Sequence, residues 1–373
     1  MIRLSKSVVG IEEANAVKNV LIKDGYLGMG KYVQEFELEI SNFLSLTDKK
    51  VICVNSGTAA LHLAVQSIIT DNKNEIIVPS LTYLSSFQAI TAAGGVPIAC
   101  DVDENSMILD IEDAIKKITN KTAAIMPVWY ASNPYNYDNL YEFASKNNLR
   151  VIEDAAHAFG CEINNNKIGS KGDIICFSFD GIKNITSGEG GAIITNDDCV
   201  INYCKDARLL GVKKDTEKRF EGERSWEFQV ENQGYRFHMS NIFAAIGIVQ
   251  LNKLKERFGK KRILLKEFYI NELKNIKGIL LQKYEINSLI IPHIFPIRIL
   301  NNKRDFIKLE LEGNDIQTGI HYKPNHLLKK FKTDYNLPIT EKLYEEIITL
   351  PLHPEMSYED IKCICSIIKK SIK

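Results

Sequence analysis

Hydrophobic and polar positions fall into a repeating block pattern along the first half of the chain. Short apolar runs of strand length recur: VICVN (51–55), EIIVPS (75–80), VPIACDV (96–102), AAIMPVW (123–129), RVIEDAA (150–156), IICFSF (174–179) and GAIITN (191–196). Between several of them lie segments with apolar residues at three and four spacings: LHLAVQSII (61–69), SSFQAITAAG (85–94), DIEDAIKKIT (110–119) and YDNLYEFASKNN (137–148). Strand–helix alternation of this kind predicts an α/β domain, with a mainly parallel sheet covered by helices on both faces. Ligands in such sheets bind at the carboxyl ends of the strands.

The pattern changes near residue 240. Residues 241–276 read as a long helical stretch, SLIIPHIFPIRIL (288–300) as a strand candidate, and SYEDIKCICSIIKKSI (357–372) as a helix. These predict a smaller C-terminal α+β domain, giving a division into 1–245 and 246–373. A chain of 373 residues is long enough for one large and one small core.

Composition narrows the partners. Lys+Arg and Asp+Glu are both 47, and no basic stripe or arm points to nucleic acid. The first residues lack a signal-peptide run, and no window has the roughly 18 uninterrupted apolar residues of a membrane span. Eight cysteines are scattered without a CxxC pair, and CxC at 363–365 is poor spacing for zinc. The expectation is a cytoplasmic protein without a metal site.

Three segments carry candidate chemistry. NSGTAALHLA (55–64) is a small polar turn that follows a strand and opens a helix. Ser56, Gly57 and Thr58 there form either an ordinary helix cap or an anion site suited to a phosphate. In VIEDAAHAFG (151–160), Asp154 ends a buried strand. It is either a helix cap or a carboxylate able to hold a pyridine nitrogen protonated. His157 is either a core histidine or a partner for the ring's phenolic oxygen. In FSFDGIKNITSGEGGAIITND (177–197), Lys183 lies in the loop after a strand. Alone it reads as a surface lysine of a hairpin; in a buried loop it becomes a Schiff-base nucleophile. Ser178 is placed to meet a cofactor phosphate. Together the segments form a constellation for pyridoxal phosphate (PLP).

The chain resembles the DegT/DnrJ/EryC1/StrS family of sugar aminotransferases, of the PLP-dependent aspartate-aminotransferase (type I) fold. The resemblance rests on GYLGMGKYVQEFE (25–37), NSGTAALHLA, PSLTY (79–83), EDAAHAFG, the Lys183 segment, GYRFHMSNIFAAIG (234–247), GIHYKPNH (319–326) and LPLHPEMS (350–357). It implies that Lys183 carries the cofactor covalently and Asp154 partners the pyridine nitrogen. Tyr83 would stack on the ring, and Gly57, Thr58 and Ser178 would contact the phosphate. His157 would lie near the phenolic oxygen. Tyr26, Asp180, His321, Tyr322 and His326 fall in motifs that imply substrate contacts. A homodimer with shared active sites is also implied, with Arg236 reaching the partner's cofactor phosphate.

Three departures stand out. Where the family usually reads GYNYRMS, Arg236 and His238 replace Asn and Arg. Asp180 stands where His is common, three residues before the lysine. VWYASNPYN (128–136) replaces a His-Leu-Tyr-Gly stretch, so Trp129 and Tyr130 either reshape the sugar site or simply pack.

The resemblance implies transfer of an amino group from L-glutamate to a nucleotide-linked keto-sugar. The NSGTAAL turn resembles the branch that aminates C4 of a 4-keto-6-deoxyhexose such as dTDP-4-keto-6-deoxyglucose, giving dTDP-4-amino-4,6-dideoxyglucose for O-antigen or another surface glycan. C3 amination is the alternative within the class. A sugar dehydratase of the same fold carries His at the lysine position, and Lys183 argues against that reading. A non-catalytic PLP-binding regulator is the alternative outside it.

Overall fold

The computed structural model describes residues 1–372. In chain order its strands are β1 (Lys50–Val54), β2 (Glu75–Pro79), β3 (Val96–Cys100), β4 (Thr122–Ile125), β5 (Arg150–Asp154), β6 (Glu162–Ile163), β7 (Asn166–Lys167), β8 (Ile174–Ser178), β9 (Gly191–Thr195), β10 (Ile279–Leu281), β11 (Ser288–Leu289), β12 (Phe295–Ile299) and β13 (Ile347–Leu350). Seven form the central sheet, in the order β1-β9-β8-β5-β4-β2-β3.

The pairs β8-β5, β5-β4, β4-β2 and β2-β3 are parallel, as strand–helix alternation predicts. Strand β9 alone runs against both neighbours. The loop from Phe179 to Gly190 contains no helix to carry a parallel crossover, so the chain turns back on itself there.

Alternation along each strand serves two cores. Val51 and Cys53 of β1 enter one, and Ile52 and Val54 the other. Both faces are therefore covered, which is why these strands read as continuous apolar runs. The first core also takes Val33, Phe36 and Ile40 from the helix Lys31–Leu44. That helix, and Ile11–Asn19 before it, lie in a segment whose pattern predicts no element above.

The helical run beginning at Asn241 continues through Leu254–Phe258, a wider turn, to Leu273. Ala244 through Phe258 contribute to the first core, and Leu265, Tyr269 and Leu273 to a third. The expected 245/246 division falls inside this run. The third core packs around a small antiparallel sheet, β10-β12-β13, and takes Ile2 from the opposite end of the chain. Ile2 also bridges to Ile316, and the Leu352 N–H donates to the Leu4 carbonyl at 3.0 Å.

Two predicted elements come out differently. The strand candidate 288–300 splits at Pro292: Ser288–Leu289 pairs with β6, and Phe295–Ile299 joins the third core's sheet. The break spans 290–294 and includes Pro292, which has no N–H for a ladder, whereas Pro296 is accommodated inside β12 opposite Thr349. The candidate 123–129 stops at Ile125 just before Pro127, and Tyr130–Ser132 forms a short turn instead.

A buried ion pair joins several of these pieces. Arg208 donates through Nη1 to Glu37 Oε1 at 2.6 Å and to the Cys53 carbonyl at 2.7 Å. The Cys53 N–H donates to the same Glu37 oxygen at 2.8 Å. Removing one member leaves a charge without its partner, so Arg208→Met is expected to lower unfolding free energy by about 3–5 kcal/mol. The double variant Arg208→Met/Glu37→Leu is expected to recover much of that loss. Urea unfolding midpoints check both.

Candidate active site

The three predicted segments converge on one cavity of about 380 Å³. It opens at the carboxyl ends of β1, β2, β5 and β8. A larger groove of about 540 Å³, lined by Asp110, Glu142 and Lys146 among others, contains none of the candidate residues.

After β1, Ser56 caps the helix Gly57–Gln66: its Oγ accepts from the Ala59 N–H at 3.0 Å. The helix-cap reading and the anion-site reading therefore hold together. Ser56 is the cap, while the N–H groups of Gly57 and Thr58 have no intrahelical acceptor, and both residues line the cavity. Gly57 is required by close approach, since a Cβ there would lie 2.7 Å from Ser178 Cβ. Gly191 backs the turn in the same way, its would-be Cβ 2.5 Å from the Ser56 carbonyl oxygen. Thr58 and Ser178 complete this end of the cavity.

Asp154 ends β5, directly in register with Cys176 of β8. Its Oδ2 accepts from Ser86 Oγ at 2.7 Å, and Oδ1 from the Ala156 N–H at 3.3 Å. Burial raises its pKa, and those two hydrogen bonds and the Lys183 charge oppose the rise.

Lys183 sits in the loop after β8, its backbone N–H donating to the Asp180 carbonyl at 3.1 Å. Its Nζ has no carboxylate within ion-pair distance among the described residues; its contact is His293 Nε2, at 3.5 Å. Burial pulls its pKa down to about 8, against the pull of Asp154 and Asp180. A substantial neutral fraction near physiological pH makes it a competent nucleophile and proton carrier.

His157 receives the Ala131 N–H on Nδ1 at 3.3 Å. That fixes Nε2 as the protonated nitrogen, donating to the Tyr322 hydroxyl at 3.1 Å. His157 and His321 are kept neutral chiefly by burial, His321 being pushed down to about 4. His321 also shares a 2.8 Å hydrogen bond with Thr349 Oγ1. Tyr83 is largely exposed at the rim, its ring 5.5 Å from that of Tyr322. Asp180 lines the wall.

Three predicted residues do not join them. His326 is buried elsewhere, its ring held between Ser80 Oγ at 2.7 Å and Glu341 Oε1 at 3.2 Å. The short turn Asn325–Leu327 carries it away from the cavity. Arg236 is exposed, and Tyr26 lies outside the cavity beside Asn241, whose Nδ2 donates to its carbonyl at 2.9 Å. Trp129 is a packing residue: it is fully buried and its Nε1 donates to Glu153 Oε2 at 2.6 Å. The Tyr130 hydroxyl donates to the His321 carbonyl and so braces the wall from behind. His238 is half-buried and pushed down to about 4 by burial and nearby arginines.

The sequence reading missed His293, Ser86 and Glu189. Ser86 is a lone hydroxyl on the apolar side of the helix Leu84–Ala92, a signal that could have found it. His293 lies in a run read as strand, and nothing local marks it.

The model of the DegT/DnrJ/EryC1/StrS aminotransferase family matches residues 9–369. The chain belongs to this family. It is 32% identical to GDP-perosamine synthase of Vibrio cholerae over 94% of each chain. It is 27% identical to the dTDP-4-dehydro-2,3,6-trideoxy-D-glucose 4-aminotransferase of Saccharopolyspora spinosa, covering 100% of this chain and 97% of that one. Spr1654 of Streptococcus pneumoniae, named a putative sugar aminotransferase, superposes in its PMP form with a TM-score of 0.90 at 27% identity, covering 99% and 97% of the two chains. Its PLP form gives 0.89 at 26%. The fold is that of PLP-type aminotransferases, and the family member described here is a sugar aminotransferase.

One prediction follows from the amine's surroundings. In cofactor-free protein, reductive methylation of Lys183 should titrate with a midpoint near 8. Asp154→Asn removes a charge that favours the ammonium form, so the midpoint should move lower. Peptide mass spectrometry across a pH series reads both.

Proposed function

We propose that this protein transfers an amino group from L-glutamate to C4 of a nucleotide-linked 4-keto-6-deoxyhexose, using PLP held by Lys183. The observation that carries the proposal is the placement of an unpaired amine, a buried carboxylate and a helix N-terminus around one cavity. The donor set suits PLP. The Gly57 turn leaves backbone N–H groups for a phosphate, with Thr58 and Ser178 beside it. Asp154 is a buried carboxylate whose partners are one hydroxyl and one amide, leaving room for a protonated ring nitrogen. Tyr83 offers its ring from the rim.

When bound, PLP supplies an electron sink for charge developing at the substrate carbon. The chain's own residues do the rest. Asp154 holds the ring nitrogen's proton, fixed in place by Ser86. His157, neutral and locked in one tautomer by the Ala131 N–H, orients the Tyr322 hydroxyl. Lys183, once free, carries the proton between the substrate carbon and the cofactor, as its lowered pKa permits. Tyr26 and Arg236, outside the cavity, are available to the neighbouring copy in a homodimer with shared sites.

C4 as the position and dTDP as the nucleotide are supported by the name of the Saccharopolyspora relative and by the NSGTAAL turn. The Vibrio relative is named for a GDP-sugar, which favours GDP as the second nucleotide to test. Surface glycan synthesis is the corresponding physiological role.

Replacing Lys183 with Ala should abolish covalent attachment of PLP and lower transamination by on the order of a thousandfold or more. Turnover retained in that variant would reject the assignment. A panel of dTDP- and GDP-linked keto-sugars with glutamate, with products identified by NMR, tests the substrate. Amination at C4 is expected; amination at C3 alone, or of no 6-deoxy-4-keto sugar, would overturn the choice.

A further inference from the structure

His293 enters the cavity wall from the C-terminal part of the chain, and two separate clamps hold it there. Its backbone N–H donates to Ser132 Oγ at 2.9 Å, and Ser132 in turn donates to the His157 carbonyl. Ser132 and Ala131 both adopt left-handed backbone, with φ of 69° and 51°. Non-glycine residues adopt that region only when their surroundings hold them there, and such strain concentrates at functional sites. On the other side, Arg262 donates through Nη1 to the carbonyls of Pro292 at 3.1 Å and His293 at 3.4 Å. Arg262 is buried, has no carboxylate partner among the described residues, and its Nε has no hydrogen-bond partner. A buried guanidinium is seldom spent on two carbonyls alone.

What the clamps present is the imidazole edge. Nε2 lies 3.5 Å from Lys183 Nζ, while Nδ1 is buried without a partner. The ring packs against His157, centroids 4.5 Å apart. The distance is at the outer edge of hydrogen-bond reach, as contacts at catalytic sites commonly are before substrate arrives. The groups that face Lys183 are Asp154, Asp180, His157, His293 and His321. Among the described residues, only His293 is within hydrogen-bond distance of its Nζ.

We infer that His293 is a positioning residue: its Nε2 accepts a hydrogen bond from the Lys183 amine whenever that amine is free, and so aims the nitrogen at the reacting carbon. The Ser132 and Arg262 clamps exist to hold the imidazole at that distance. The inference rests on the proposed role of Lys183 and adds the group that keeps the lysine in register between its two tasks.

The test reads the lysine directly in full-length protein freed of cofactor. Reductive methylation gives the Lys183 midpoint, and the rate of combination with PLP at a pH above that midpoint gives its orientation. In His293→Phe the acceptor is gone, so the midpoint should fall below the wild-type value and the combination rate should drop by about tenfold, the scale of one hydrogen bond. His293→Gln, whose amide oxygen can accept from the amine, should restore most of the rate. Ser132→Ala should give an intermediate loss. An unchanged midpoint and rate in His293→Phe, or a Gln variant as slow as Phe, would overturn the inference. Should His293→Phe not fold, the Gln and Ser132→Ala variants decide it: a Gln variant near the wild-type rate together with a slowed Ser132→Ala variant supports the inference, and a Ser132→Ala variant with wild-type rate and midpoint refutes it. Failure of wild-type protein to attach PLP at Lys183 would instead reject the proposed function, while the methylation midpoints would still report on the His293 contact.

Discussion

A buried carboxylate and an amine that share a cavity without touching set the terms for this molecule. Asp154 and Lys183 are close enough to shift each other's titration, yet they form no ion pair among the described residues. Collapse into a salt bridge would satisfy both and close the site. Sheet geometry prevents it. Asp154 ends β5 in register with Cys176, whereas β8 runs on to Ser178 before the loop that carries Lys183. Parallel strands about 5 Å apart thereby hold the two charges on a fixed baseline. Ser86 and the Ala156 amide occupy the carboxylate from behind, and His293 contacts the amine from the other side.

The neighbours are chosen to leave that gap undisturbed. Three histidines line it, and burial keeps each of them neutral. Three imidazolium ions there would compete with a protonated ring nitrogen for Asp154 and drive the lysine's proton off altogether. Neutral rings give hydrogen bonds and shape without adding charge. The acids are less uniform. Asp180 and Glu189 both line the cavity, and burial with the Asp180 charge raises the Glu189 pKa. Asp180 is also one of the positions at which the chain departs from the pattern that the family resemblance implies.

Legibility followed the range of the interactions. The central strands were readable because each buries both faces and so shows as an unbroken apolar run, as VICV and IICFS do. Gly57, Asp154 and Lys183 were readable because each sits at a strand end, where alternation of strand and helix says ligands bind. Strand β9 was readable as a strand but not as the reversed one, because direction depends on whether the loop before it can cross over. His293 was invisible: its meaning comes from Ser132 and Arg262, distant in sequence, and its own surroundings, PHIFP, look like any apolar strand. His326 failed in the opposite sense. Its motif put it in the site, but Ser80 and Glu341 compete for both ring nitrogens and draw it behind the wall.

The pairing of Ile2 with Ile316 has a consequence for how the chain comes into being. The third core needs both ends of the polypeptide: Ile2 and Leu4 from the start, and Leu352, Ile364 and Ile368 from the finish. The two cores flanking the large sheet draw mainly on earlier residues and can organise while synthesis continues. Ile2 finds its backbone partners only at Asp315, Ile316 and Gln317, and Leu4 only at Leu352. Contacts this distant in sequence carry a large loop-closure cost, so the seam is expected to close late relative to the local contacts of the large sheet.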